Sequence, residues 1–131
     1  MATMQLIEYE DAPQEVKVVY DDIRKSRGSK FINNFWKGLA NNPEQLKSTW
    51  ENLKTVMGEG EIDPLVKEFI YIAVSVANSC SYCIHSHTAA AKKKGMTEQQ
   101  HAELLSVIGM ANHTNGLATT MQIDVDESFL Q

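Results

Sequence analysis

The chain predicts an all-α fold, a small helical domain of about six to seven helices, on three observations. Apolar residues recur at helical spacing along most of its length, as in Val16, Val19, Tyr20 and Ile23. Helix starts are spelled out by Asn42-Pro43, Asp63-Pro64 and Thr97-Glu98-Gln99-Gln100, where a polar cap precedes proline or a glutamine at the third position. Strand-like alternation extends no further than the short tail Gln122 to Val125. With 131 residues and no linker, low-complexity segment or internal repeat, the expected organisation is a single domain over 1–131.

Each element follows from local signals. A first helix from about 13 to 25 carries the Val16 stripe and is broken by Arg27-Gly28-Ser29. A short amphipathic piece from Phe31 to Leu39 follows, with Phe35 and Trp36. The helix after Asn42-Pro43-Glu44-Gln45 carries Leu46, Trp50, Leu53 and Met57 and stops near Gly58. The helix after Asp63-Pro64 is apolar on nearly every side, through Leu65, Phe69, Ile72 and Val76, so it is expected to be central and buried. A cysteine-bearing helix then runs through Ala89-Ala90-Ala91 to Gly95. The last helix starts at Thr97 and carries Leu104, Leu105 and Ile108. Gly109 is read as a break, and Leu117 to Met121 as a final turn or two. Trp36, Trp50, Phe31 and Phe35 are expected in the core or in subunit contacts.

Composition narrows the function. There are 17 acidic against 12 basic residues, for a formal charge of −5. No basic block exceeds Lys92-Lys93-Lys94, which argues against a nucleic-acid partner; at a helix end, that block reads as a solvated, dipole-favoured terminus. The longest near-apolar run, Phe69 to Ala77, is too short to span a bilayer. The start Met1-Ala2-Thr3-Met4-Gln5 lacks the charged flank and apolar run of a signal peptide. A cytoplasmic, reducing location is therefore the expectation, and there a close cysteine pair points to catalysis or metal binding rather than a structural staple.

Chemistry concentrates in Cys80-Ser81-Tyr82-Cys83-Ile84-His85-Ser86-His87, which holds both cysteines and two of the four histidines. At about 100° per residue, Cys83 and His87 lie one turn apart on one side of a helix, and Cys80 falls within about 20° of His87. His85 points away. Two thiols and one imidazole converge, which suits thiol–disulfide exchange: one sulfur attacks, the other resolves, and the histidine takes or holds a proton. A zinc site built from Cys80, Cys83, His85 and His87 is the competing pattern, and the orientation of His85 argues against a closed tetrahedron. Inert buried thiols with a core histidine are the bland reading. His101 and His113 stand alone and read as solvated or capping residues.

Glu68 lies among Leu65, Phe69, Tyr71 and Ile72 in the first turns of its helix. Composition favours a solvent-facing glutamate near a helix N-terminus. The functional alternative is a partly desolvated carboxylate of raised pKa that passes protons to His87 or to a thiol.

Glu68 followed twelve residues later by Cys80-x-x-Cys83-x-x-x-His87 resembles the carboxymuconolactone decarboxylase superfamily, in its alkylhydroperoxidase D-like branch. The match is close over about 60 to 95 and looser over 96 to 127, which includes Asn115-Gly116-Leu117-Ala118 and Asp124-Val125-Asp126. The resemblance implies a small all-helical domain that forms homotrimers or homohexamers. It implies a thiol-dependent peroxidase with an antioxidant role, acting on hydrogen peroxide or organic hydroperoxides. Cys83 would be the attacking thiol, Cys80 its resolving partner, His87 the base, and Glu68 the end of a proton relay. The redox-active Cys80–Cys83 disulfide would replace any cofactor, and an external dithiol, such as a dihydrolipoyl protein, would supply electrons. One position departs from the branch: Tyr82 stands where the prototype has a second histidine. A phenol with pKa about 10 does not act as a base near neutrality, although it can hydrogen-bond a peroxide, water or thiolate. The alternatives to a peroxidase are a non-redox member of the superfamily and a zinc-binding structural protein.

Physical chemistry supports the same assignment of Cys83. A thiol with pKa about 8.5 is only a few per cent thiolate at pH 7. A helix start near Cys80 or Ser81 places Cys83 in the dipole field, with His87 one turn on. Cys80 remains the alternative nucleophile. Oligomers are expected on the residues as well, because the central helix is apolar on more sides than one short chain can cover.

Overall fold

The computed structural model describes residues 1–131 and is all-helical, as expected. Six α-helices follow one another: α1 Gln14–Arg27, α2 Asn34–Leu39, α3 Pro43–Met57, α4 Pro64–Ala77, α5 Ser81–Lys93 and α6 Glu98–Met121. A single 3-10 turn, Glu127–Phe129, ends the order. Two compact units divide the chain, Met1–Gly58 and Glu59–Gln131. No helix is long and apolar enough to cross a membrane.

In the first unit, α1 buries the stripe read from its sequence, Val16, Val19, Tyr20 and Ile23. It stops at Gly28, whose φ of 61° is the left-handed conformation glycine adopts without penalty. The stripe packs with Trp36, Leu46 and Trp50. Complete burial of side chains of this size contributes about 1.5–3 kcal/mol each. Trp36 and Trp50 meet edge to face, with ring centroids 5.4 Å apart. The Tyr20 hydroxyl donates to the Ile7 carbonyl at 2.8 Å, and burial pushes that phenol up to about 12. Helix α3 starts as read, with the Asn42 side chain accepting from the Gln45 amide at 3.1 Å. Helix α2 starts later than expected, at Asn34 rather than Phe31. Asn33 takes the N-cap place, Ile32 fills the core at 4% exposure, and Phe31 stands outside at 65%. The two tryptophans are thus core residues, whereas Phe31 and Phe35 are exposed.

The second unit starts with α4, capped by the Asp63 carboxylate on the Leu65 amide at 2.9 Å. Its expected complete burial is not realised. Only Glu68, Ile72 and Ser75 are buried, while Val66, Ile70 and Val74 form an exposed stripe at one-turn spacing. Within a single chain, the apolar cluster on α4 covers one side, through Ile72 with Ala91, Met96, Leu104 and Ile108. Helix α6 is one unbroken run of 24 residues, so Gly109 does not end it and Leu117 to Met121 is no separate turn. A glycine in a helix interior costs only about 1 kcal/mol, and the start is secured by a capping box in which Thr97 and Gln100 serve each other's amides at 2.9 and 3.0 Å. The tail Gln122 to Val125 pairs with no strand.

Candidate active site

The turn between α4 and α5 creates the site. Ser79 adopts a left-handed backbone, φ 55°, which costs a non-glycine residue about 1 kcal/mol. Its amide bonds the Val76 carbonyl at 3.1 Å, and the next amide, that of Cys80, bonds the Ser75 carbonyl at 2.9 Å. This pair of bonds is the Schellman ending of a helix, with serine in the position usually held by glycine. Cys80 is also the N-cap of α5, and its sulfur accepts from the Cys83 amide at 3.3 Å. One residue thereby closes one helix and opens the next, so the Cys80 sulfur is fixed from both sides.

Cys83 occupies the third position of α5 and is bonded to Cys80, with Cα atoms 5.3 Å apart. The expected convergence of the two sulfurs is present. Both lie at the N-terminal end of α5, where unpaired amides carry partial positive charge and favour a thiolate in the reduced state. Tyr82 and His85 are exposed on the same turns. No group of three or more histidine, cysteine or carboxylate residues is placed to hold a metal ion.

Glu68 departs from the solvent-facing reading: it is buried at 3% exposure. Its Oε2 lies 2.8 Å from His87 Nδ1, and its Oε1 accepts from Lys94 Nζ at 2.9 Å. Burial alone would push the carboxyl up, as in the functional alternative read from the sequence. The hydrogen bonds from His87 and Lys94, with the charge of Lys94, outweigh that cost and hold Glu68 below its ordinary value. A carboxylate has no proton to give, so Nδ1 carries the hydrogen and Nε2 becomes the acceptor of the neutral ring. Tyr71 stacks on the imidazole with ring centroids 3.6 Å apart and planes at 19°. His87 is thus held by its edge and by its face. Cys83 and His87, at i and i+4, share a side of α5.

Two residues of this cluster went unassigned in the sequence. Lys94 was read with its neighbours as a solvated helix end, yet it follows His87 by seven residues, the same two-turn spacing that relates Cys80 to His87. Tyr71 follows Glu68 by three, which sets both on one side of α4. Extending the helical-face argument in each direction would have found both. His101 and His113 lie on α6.

Comparison with known proteins agrees with this geometry. The model of the carboxymuconolactone decarboxylase family matches residues 43–123, a span that holds Glu68, Tyr71, Cys80, Cys83, His87 and Lys94. A solved structure, the alkylhydroperoxidase AhpD core from Rhodospirillum rubrum, superposes with a TM-score of 0.96 at 62% identity, over 100% of this chain and 98% of that one. The alkyl hydroperoxide reductase AhpD of Solibacter usitatus is 28% identical over 88 residues, 67% of this chain and 48% of the relative. The chain therefore spans about half the length of that relative. An uncharacterized protein of the Paracoccus denitrificans cox locus is 30% identical over 78 residues, 54% of this chain and 70% of the relative.

Proposed function

Because the chain belongs to the carboxymuconolactone decarboxylase family, in its alkylhydroperoxidase AhpD-like branch, we propose that it is a thiol-dependent peroxidase cycling through Cys80 and Cys83. The observation that carries this reading is the bonded cysteine pair at the N-terminus of α5, on a helix whose next turn bears His87 backed by buried Glu68.

The cycle starts from the reduced pair. His87 Nε2 takes the proton of Cys83, and the thiolate attacks one oxygen of the peroxide. The O–O bond breaks, the sulfur is oxidised to a sulfenic acid, and the leaving oxygen takes a proton to depart as water or an alcohol. The Cys80 sulfur then attacks the Cys83 sulfur, releases water and forms the disulfide. An external dithiol reopens it through a mixed disulfide, supplying two electrons and two protons and leaving as its own disulfide. The amide of Cys83 on the Cys80 sulfur suits Cys80 as the thiolate that leaves in this last stage. Glu68 keeps the hydrogen of His87 on Nδ1, and so keeps Nε2 available.

Dihydrolipoyl groups or small thiols fit as reductants, with hydrogen peroxide or organic hydroperoxides as oxidants. Homotrimers or homohexamers fit the exposed Val66, Ile70 and Val74 stripe, which further copies of the chain would cover. Purified protein supplied with dihydrolipoamide is expected to catalyse its oxidation by hydrogen peroxide and by an organic hydroperoxide. A rate no faster than the protein-free mixture with both oxidants would remove the peroxidase assignment and leave a non-redox member of the family.

A further inference from the structure

We infer that Lys94 is a positioning residue, whose ammonium on the second oxygen of Glu68 loosens the proton held by the Glu68–His87 pair and so keeps His87 Nε2 available as a base near neutrality. This inference rests on the peroxidase reading of the same site. Glu68 is buried and each of its oxygens has one side-chain donor, His87 Nδ1 at 2.8 Å and Lys94 Nζ at 2.9 Å. Without Lys94, a buried carboxylate would face an imidazole alone. Such a pair gains most when the ring is protonated, because the two opposite charges then compensate each other away from water. A protonated ring has no acceptor on Nε2 and takes nothing from a thiol. Lys94 already balances the carboxylate, so adding a proton to the ring creates net positive charge in a half-buried cluster. The second cation thus opposes ring protonation.

The backbone holds Lys94 in place for this role. It is the C-cap of α5, and its amide bonds the carbonyls of Ala90 and Ala91 at 3.1 Å. The chain then turns through Gly95, φ 96°, and the amide of buried Met96 bonds the Ala91 carbonyl at 3.0 Å. The side chain of Lys94 turns inward from this turn and is 37% exposed, whereas Lys92 reaches outward to Glu98. Glu68 bonds His87 of α5 and Lys94 at the C-cap of that helix, and Tyr71 of its own helix stacks on the His87 ring; α6 brings apolar Leu104 and Ile108 to the neighbouring cluster.

The test compares Lys94→Met, Lys94→Gln and Lys94→Arg in full-length reduced protein, with the fold checked by circular dichroism. Two readouts are followed against pH: the His87 ring resonances by NMR, and the single-turnover rate of thiol oxidation by hydrogen peroxide. In the methionine and glutamine variants, the titration midpoint of the pair is expected to move about one pH unit upward, a tenfold tighter proton. The acidic limb of the rate profile should move with it. Arginine should restore both. Glutamine keeps a hydrogen-bond donor without charge, so it serves as the charge test should methionine fail to fold. A midpoint unmoved in either folded neutral variant, or not restored by arginine, overturns the inference. Wild-type protein whose His87 titrates but whose thiols ignore peroxide would remove the peroxidase reading instead, and the NMR midpoints would still decide the role of Lys94.

Discussion

Replacing Cys83 with serine is expected to abolish dithiol-dependent peroxide turnover, a loss on the order of 10⁴-fold or more, because the reacting atom itself is removed. A serine hydroxyl at this helix N-terminus remains protonated near neutrality and forms no sulfenic acid. Cys80→Ser should behave differently. Cys83 would still attack, and the reaction would stall with a sulfenic acid on that sulfur, trapped by dimedone and located by peptide mass spectrometry. The two variants separate attack from resolution, which the spacing of the cysteines alone does not. A sulfenic acid trapped at Cys80 in Cys83→Ser, with none at Cys83 in Cys80→Ser, would reverse the roles.

Glu68→Gln is the second large effect. The amide preserves the shape of the side chain and still accepts a hydrogen bond, but it carries no charge. Turnover should fall by roughly 10²–10⁴-fold, the usual contribution of a positioned acid or base. The pH profile should lose one limb as two coupled ionisations become one. His87→Gln should lose a similar amount, and the double variant should be little worse than either single one, because members of a unit do not add. Stability follows the same ionisation. Glu68 is held below its ordinary value of 4.5, so its contribution to folding is fully present above that value and is lost as pH falls through its folded pKa. Chemical denaturation should therefore find Glu68→Gln less stable than wild type at neutral pH, with the difference closing in acid. Wild-type turnover in the glutamine variant would reduce the site to two thiols and one histidine.

Much of this molecule was legible because its signals are local. The caps at Asn42, Asp63 and Thr97 sit where the sequence reading placed them, since a cap and the amides it serves lie within three residues. The meeting of Cys80 with Cys83 was legible for the same reason, as the two belong to one helix and its cap. Features that depend on what lies across from a helix were harder to read. Ile32, rather than its neighbour Phe31, fills the core, and only the packing of the first unit decides between them. Glu68 looked solvent-facing because the two donors that make its burial tolerable, His87 and Lys94, lie 19 and 26 residues further along the chain. The functional alternative, a partly desolvated carboxylate of raised pKa, fails for the same reason: it allows for burial but not for the two donors that hold the group below its ordinary value. Lys94 illustrates how a lysine at a helix end can turn its head inward along an apolar stem once a carboxylate lies within reach. Gly109 gave a false stop because a helix as long as α6 absorbs the modest cost of one glycine.

The central claim, a peroxide-driven thiol–disulfide cycle in this pair, is tested most directly by mass spectrometry of the reduced protein before and after brief treatment with hydrogen peroxide, quenched by denaturing alkylation. The cycle predicts two alkyl labels per chain before treatment. Afterwards it predicts no label, a mass lower than the unlabelled reduced chain by about 2 Da for the two hydrogens lost on disulfide formation, and return of both labels after a dithiol is added. Cys80 and Cys83 both fully alkylated after peroxide would contradict it.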